Sequence, residues 1–369
     1  MEHQKHAFLQ KPAGGKFHRH EFAFLGAPCG IIQRLADDLA SELIEFNLGY
    51  VDADHGEGED APPFGTAYTD KISHHRFEMA YQDYTYKFRQ LFGDNDAVLV
   101  NGNHFKAEYQ IVIINKKKEE SLQRKLDRLT HVKAFVLDQD MHAVFPFLQE
   151  AIPNADDIPV FGIDEVEKIA SLLRLEVKQR PSIRGLVFAG GRSTRMGRDK
   201  GAIIYHGKPQ REYLADLLND ICEETFISTQ NTNDFTSAYP LLADSFREMG
   251  PYGGLLTAFR MDPNSAWLTV ACDIPLIDKR TLNRLIEERD PGKIATCFHN
   301  EETNFPEPLI TLWEPRAYPQ LLQFMALGYS CPRKVLINSD IHELTIDQVL
   351  LTNANTPEEL ARAQSLIHA

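Results

Sequence analysis

Cysteine is scarce and scattered in this chain of 369 residues: five in all, at 29, 222, 272, 297 and 331, with no C-x-x-C among them. An odd number at wide spacing excludes a disulfide framework or a structural zinc site as the organising device. No apolar run approaches the roughly 18 residues of a membrane-spanning helix, so no membrane partner is expected. The opening string MEHQKHAFLQKPAGGKFHRHEF has no apolar h-region and no small-residue cleavage site, which makes the cytoplasm the expected compartment. Positive charge is the minority, 39 Lys and Arg against 53 Asp and Glu, for a net charge of -14. Neither DNA nor RNA is therefore an expected partner. A nucleotide remains compatible, because a local cluster of cations can hold a triphosphate within an acidic protein.

What is present alternates. In the first half, FAFLG is an apolar run ending in glycine, and IIQRLADDLASELIEF carries Ile32, Leu35, Leu39 and Leu43 at helical spacing. LGYVDAD reads as a strand and HGEGEDAPPFG as loop. AVLVNGN and QIVIIN read as buried strands, SLQRKLDRL as a helix, VKAFVLD as a strand, HAVFPFLQEAI as a helix, IPVFGID as a strand and DEVEKIASLL as a helix. LRLEVKQRPSI, ending near Pro181, is the join. Beyond it, strands RGLVFAGG, TFISTQ, WLTVACD and KIATCF interleave with helices REYLADLLNDI and RTLNRLIEER. The pattern predicts two tandem three-layer α/β domains with mostly parallel sheets, one over 1–180 and one over 184–369.

The segment LVFAGGRSTRMGRDKGAI, residues 186–203, concentrates the chemistry. A strand through Phe188 runs into Ala189, Gly190 and Gly191, where paired glycines let backbone N–H groups approach phosphate oxygens. Arg192, Arg195, Arg198 and Lys200 follow within nine residues, and Ser193 and Thr194 add hydroxyl donors. Neither G-x-G-x-x-G nor Gly-Lys-Ser/Thr is present, so this is not the dinucleotide fingerprint or the Walker A loop. Composition alone leaves two readings, a phosphate cradle or a solvated turn.

Two acidic positions follow. Asp244 precedes Gly250-Pro251-Tyr252-Gly253-Gly254, a rigid turn with room for a ligand close to the backbone, or a plain strand-to-helix connection. In WLTVACDIPLI a buried run delivers Asp273 at its carboxyl end, where active sites of open α/β sheets lie. A carboxylate there suits Mg2+, which takes oxygen ligands and bridges to phosphates. The same aspartate can also cap the following helix. Cys272 is read as packing rather than as a nucleophile.

The string Ala-Gly-Gly-x-Ser-x-Arg-Met-Gly-x-Asp-Lys resembles the signature loop of the molybdenum cofactor guanylyltransferase (MobA) family, and the likeness extends over 184–363. Cys272-Asp273-x-Pro275 resembles the family's metal-binding signature. PEPLITLWEP, with Trp313 where tyrosine is common, resembles its acceptor-side segment, and NANTPEEL resembles its terminal motif. The resemblance implies a Rossmann-like nucleotidyltransferase domain in which Mg2+ sits on Asp273. Arg195, Lys200 and Asp273 would be catalytic. Phe188, Ala189, Gly190, Gly191, Ser193, Gln230, Asp244, Gly253, Gly254 and Arg333 would contact substrates. Asp244 is the expected base contact, and Arg333 and Lys334 the expected contacts to the acceptor phosphate. The substrates implied are GTP and molybdopterin or Mo-molybdopterin, with molybdoenzymes or their chaperones downstream. A cytidylyltransferase or sugar-phosphate nucleotidyltransferase would use the same loop, and a non-catalytic molybdopterin-delivery module is the alternative of another class. NANTPEEL also reads locally as a helix start, with Thr356 as N-cap, Pro357 first in the helix and Glu359 at the third position.

FAFLGAPCGIIQRL stands where a P-loop would, but Ile31 and Ile32 replace the lysine and hydroxyl that hold phosphate and Mg2+. The order of elements resembles the molybdopterin-guanine dinucleotide adaptor (MobB) family, with this loop degenerate and Asn101-Gly102 in place of Glu-Gly. DADHGEGED, with Asp52, Asp54 and His55, is either a cation site or a solvated acidic loop, and His74-His75 leaves the same choice open.

Overall fold

The computed structural model describes residues 15–53, 66–71, 73–79, 88–178, 181–189 and 199–367, and the chain divides into two compact units, Met1–Gln179 and Arg180–Ala369. The first contains β1 (Glu21–Leu25), β2 (Leu48–Val51), β3 (Thr66–Asp70), β4 (His75–Met79), β5 (Ala97–Asn101), β6 (Tyr109–Ile114), β7 (Val132–Leu137) and β8 (Val160–Gly162). Six of these form a sheet ordered β2-β5-β1-β6-β7-β8 in which every pairing is parallel. Strands β1 and β5 are buried along their whole length, so both faces of the sheet need cover. Helices Cys29–Glu42 and Val166–Val177 supply Ile32, Leu35, Leu39, Ile169 and Leu173 to one face. Leu122, Phe145 and Leu148 cover the other.

Two expected helices are shorter than their apolar spacing suggests. SLQRKLDRL divides into the α-turns Glu119–Gln123 and the tighter turn Leu126–Arg128. In that tighter winding, residues three apart eclipse, and Lys125 and Arg128 reach the same turn, donating to the carbonyls of Asn103 and Gly102 at 3.1 and 2.9 Å. The helix sought in HAVFPFLQEAI starts only at Pro146, whose ring suits a first helical position and whose missing N–H rules out an interior one. Strands β3 and β4 form a separate antiparallel hairpin that the sequence reading did not foresee.

The second unit contains β9 (Ile183–Phe188), β10 (Glu224–Thr229), β11 (Leu241–Ala243), β12 (Ala266–Ala271), β13 (Ala295–Asn300), β14 (Phe305–Trp313) and β15 (His342–Leu344). They form one sheet, β11-β10-β9-β12-β14-β13-β15. Strand β14 runs antiparallel to both its neighbours, and the other pairings are parallel. Helices Gln210–Asn219 and Lys279–Glu287 pack on one face through Leu214, Leu218, Leu282 and Leu285. Helices Pro251–Met261 and Ala317–Ala326 pack on the other through Leu255, Phe259 and Leu321. The chain leaves β9 toward β10 and β11, then returns past β9 to β12. That reversal opens a crevice at the carboxyl ends of β9 and β12, where ligands of such sheets bind. Both units are thus α/β with mostly parallel sheets.

Candidate nucleotide-transfer site

At that crevice Phe188 and Ala271 lie side by side in register, and the N–H of Cys272 donates to the Phe188 carbonyl at 3.4 Å. Asp273 follows directly. One of its carboxylate oxygens, Oδ1, is buried with no hydrogen-bond partner among the described residues. The other, Oδ2, lies 3.8 Å from Lys200 Nζ. Burial pushes the Asp273 carboxyl up from its ordinary range, against the opposing pull of the Lys200 ammonium. Next to it, burial also raises the Cys272 thiol, so Cys272 is packing, as the sequence suggested.

Lys200 opens a short turn, Lys200–Ala202, capped by the Asp199 side chain, which accepts from the Gly201 N–H at 2.9 Å and from Arg211 at 2.7 Å. Its ammonium also donates to the Asn355 side-chain carbonyl. The loop carrying Asn355 is sewn to the same edge, because the N–H of Ala354 donates to the Asp273 carbonyl at 2.8 Å. Thr356, Pro357 and Glu359 start helix Pro357–Ile367. The N–H of Glu359 donates to Thr356 Oγ1 at 3.2 Å, while Glu359 Oε2 accepts from Thr356 N–H at 3.1 Å and Asn355 N–H at 2.6 Å. That is a capping box, extended by one residue so that it also fixes Asn355. On the far side of Asp273, His206 Nε2 lies 2.9 Å from the Pro275 carbonyl, with its ring stacked on Tyr213. Nothing in the sequence marked His206.

Asp244 follows β11, its N–H donating to the Thr229 carbonyl at 2.9 Å. It is buried, and Ser228 Oγ donates to its Oδ1 at 2.7 Å. Burial raises its carboxyl to about 6 despite that bond. Gln230 is exposed one residue beyond Thr229, at the same edge. Gly253 and Gly254 differ from the expected open turn. They are buried in the first turn of helix Pro251–Met261, and the close approach they permit is by the protein itself. A Cβ on Gly253 would stand 2.1 Å from the Phe246 carbonyl oxygen, and one on Gly254 2.5 Å from Ser228 Oγ and 3.2 Å from the Phe188 ring. Phe188 accordingly points its ring into the core. Gly190, Gly191, Arg192, Ser193, Thr194, Arg195 and Arg198 lie outside the described residues.

The two ends of the segment PEPLITLWEP are placed differently. Trp313 is fully buried and pairs in register with Trp267 at the opposite end of β12, in the core. Because β14 runs antiparallel to β12, its beginning is what reaches the crevice. The pairing runs to Val270 opposite Ile310, and beyond it the buried Glu307 lies near enough to Asp273 for the two carboxyl groups to oppose each other's ionisation. Glu307 is 2% exposed, and the sequence reading missed it. Arg333, on the short helix Pro332–Ile337, has Nη2 3.7 Å from Glu307 Oε2. Lys334 lies over the Tyr329 ring at 5.3 Å.

In the first unit, Ile32 is core, so the place of the phosphate-binding residues is filled by packing. Cys29 Sγ lies 3.3 Å from His104 Nε2, and the Asn101 amide donates to Asp52 at 2.8 Å. His75 lies 3.3 Å from Asp70 and 2.9 Å from the Tyr68 hydroxyl, while His74 meets Ser73. Asp54 and His55 lie outside the described residues. Among the described residues no group of three or more His, Cys, Asp or Glu forms a metal cage, and no helix is long and apolar enough to cross a membrane.

Residues 185–342 match the family model of the MobA-like NTP transferase domain. A molybdenum cofactor guanylyltransferase of Vibrio cholerae is 30% identical over 189 residues, 49% of this chain and 91% of that protein. A molybdenum cofactor biosynthesis bifunctional protein of Synechocystis is 35% identical over 190 residues, 50% of this chain and 54% of its own length. The chain therefore spans about half of that second relative. The solved molybdopterin-guanine dinucleotide biosynthesis protein A of Archaeoglobus fulgidus aligns with 50% of this chain and 98% of its own, at a TM-score of 0.43 and 19% identity.

Proposed function

The chain belongs, through its C-terminal half, to the MobA-like NTP transferase family, and from that premise we propose that it transfers GMP from GTP to the terminal phosphate of molybdopterin cofactor. The observation that carries this reading is the edge where Asp273, Lys200 and Asn355 meet, with one carboxylate oxygen of Asp273 buried and without a hydrogen-bond partner among the described residues. That orphaned hard oxygen fits Mg2+, which keeps several waters and needs only one or two protein carboxylates besides substrate phosphates. When bound, the ion supplies neutralisation of the triphosphate charge.

The chain's own residues supply positioning. Glycines 190 and 191 with Arg195 and Ser193 cradle the triphosphate, and Asp244 accepts from the N–H edge of guanine. An oxygen of the acceptor's terminal phosphate, already ionised near neutral pH, attacks the α-phosphorus. The new P–O bond forms as the bond from the α-phosphorus to the bridging oxygen breaks, and pyrophosphate leaves with that electron pair. Lys200 and Arg195 stabilise the negative charge developing on the transferred and departing groups, so no strong base is required. Arg333 binds the acceptor phosphate. We assign the reaction to the cytoplasm, with molybdoenzymes or their chaperones receiving the product. The first unit, with its degenerate loop, is read as an adaptor-like domain that takes no part in the transfer. Incubation with Mg2+, molybdopterin and each NTP in turn tests the proposal through the mass of the product. A GMP adduct from GTP is the expected result.

A further inference from the structure

Burying a carboxylate inside a β-strand is unfavourable unless something nearby holds the charge. Glu307 is 2% exposed in a strand that is otherwise apolar over Leu309–Trp313, apart from Thr311. Two neutral donors reach it, the Asn300 amide on Oε2 and the Leu309 N–H on Oε1, both at 3.2 Å. Its cationic neighbour is Arg333, whose Nη2 stands 3.7 Å from Oε2. Asp273, a second buried acidic group, works against the ionised form of Glu307. Such a placement makes no sense as packing alone.

Arg333 is the other half of the observation. Its Nε is buried and has no hydrogen-bond partner among the described residues. A guanidinium presents its N–H groups as a planar fork, and one edge engaged by a carboxylate leaves the adjoining edge aimed at a second anion. An unsatisfied buried N–H beside a charged group is the mark of a ligand's place.

We infer that Glu307 is a positioning residue, fixing Arg333 so that the Nε edge of its guanidinium receives the phosphate monoester of the acceptor. The inference rests on the transfer reaction proposed above and deepens it on the acceptor side. Glu307 touches neither substrate. It sets the direction of the cation that does, and it gives the acceptor subsite a selective character. A neutral acceptor leaves the guanidinium edge unmatched, and an anion that approaches away from Arg333 meets two carboxylates.

The test is steady-state kinetics of the full chain with Glu307→Gln, Arg333→Ala and the double variant. Glu307→Gln is isosteric and removes the charge, and its amide oxygen can still accept from one of the two neutral donors. It is expected to raise the acceptor KM about tenfold, the scale of a lost charge-assisted bond, while kcat and the KM for GTP move far less. Arg333→Ala should raise the acceptor KM further, and the double variant should match Arg333→Ala. Additive losses, or an unchanged acceptor KM in Glu307→Gln, overturn the inference while leaving the transferase reading intact. If Glu307→Gln does not fold, Arg333→Gln reads the same subsite. Should the wild type transfer no nucleotide, the transfer reading falls, and calorimetry with inorganic phosphate decides the subsite separately. Binding weakened in both single variants supports it, and binding equal in the wild type and Arg333→Ala overturns it.

Discussion

Lys200 and Asp244 separate turnover from recognition at the level of single residues. Lys200 lies 3.8 Å from Asp273 and bonds Asn355, where charge would develop during transfer. Lys200→Ala is expected to lower kcat by about 100-fold or more, the scale of a lost transition-state donor. The Kd for GTP, measured by calorimetry, should change by much less, and a variant with full turnover removes Lys200 from the mechanism. Asp244 predicts a pH effect on stability. Its folded carboxyl titrates near 6 because it is buried, so the folded state holds that proton more tightly than the unfolded chain does. The stabilisation is complete below the unfolded value, about 3.9, and is lost as pH rises through the folded one. Asp244→Asn should therefore be more stable than the wild type in urea at pH 7.5, by about 3 kcal/mol at most. Near pH 4 the two should converge, and a difference that ignores pH would refute the assignment. The sequence showed both residues through the strings around them, Lys200 at the end of the Gly- and Arg-rich loop and Asp244 ahead of Gly250-Pro251. Their contrasting environments were not legible, because the burial of Asp244 and its bond to Ser228, sixteen residues earlier, come from tertiary packing.

The capping box at Thr356 is an element whose local chemistry and distant consequence can be pulled apart. Three hydrogen bonds tie Thr356, Asn355 and Glu359, and the same loop bonds Asp273 and Lys200. Glu359→Ala should cost about 1 kcal/mol of stability, as lost caps do. It should also lower kcat, because Asn355 is freed from its place beside Lys200. Urea unfolding and turnover on one preparation check this, and a stability loss with unchanged kcat would mean that the loop has no part in the site. The cap was readable from four consecutive letters because its bonds are local. Strand β14 was not readable in the same way. Its position depends on an antiparallel pairing with β12, between segments more than forty residues apart in sequence. The resemblance therefore marked PEPLITLWEP as a whole and did not single out Glu307 near its start, the end of the strand that lies toward Asp273. The hairpin β3–β4 went unseen for a related reason: its strands are mostly exposed and bury no apolar face to give a period.

At the scale of the molecule, the alternation of buried strands and amphipathic helices was enough to specify two α/β units, and glycines and an aspartate at strand ends marked the working edge of the second. The division falls between Gln179 and Arg180, and every residue assigned to transfer belongs to Arg180–Ala369. The first unit keeps a six-stranded parallel sheet, but packs Ile32 where a phosphate-binding loop needs a polar group. The central claim is guanylyl transfer by the second unit. Its most direct test is the full chain with Mg2+, molybdopterin and GTP, in parallel with CTP, ATP and UTP, with product mass and pyrophosphate both recorded. The predicted result is molybdopterin carrying one GMP, with one pyrophosphate released per adduct, from GTP alone. An adduct formed from CTP instead, or pyrophosphate released without any nucleotide on the pterin, would contradict it.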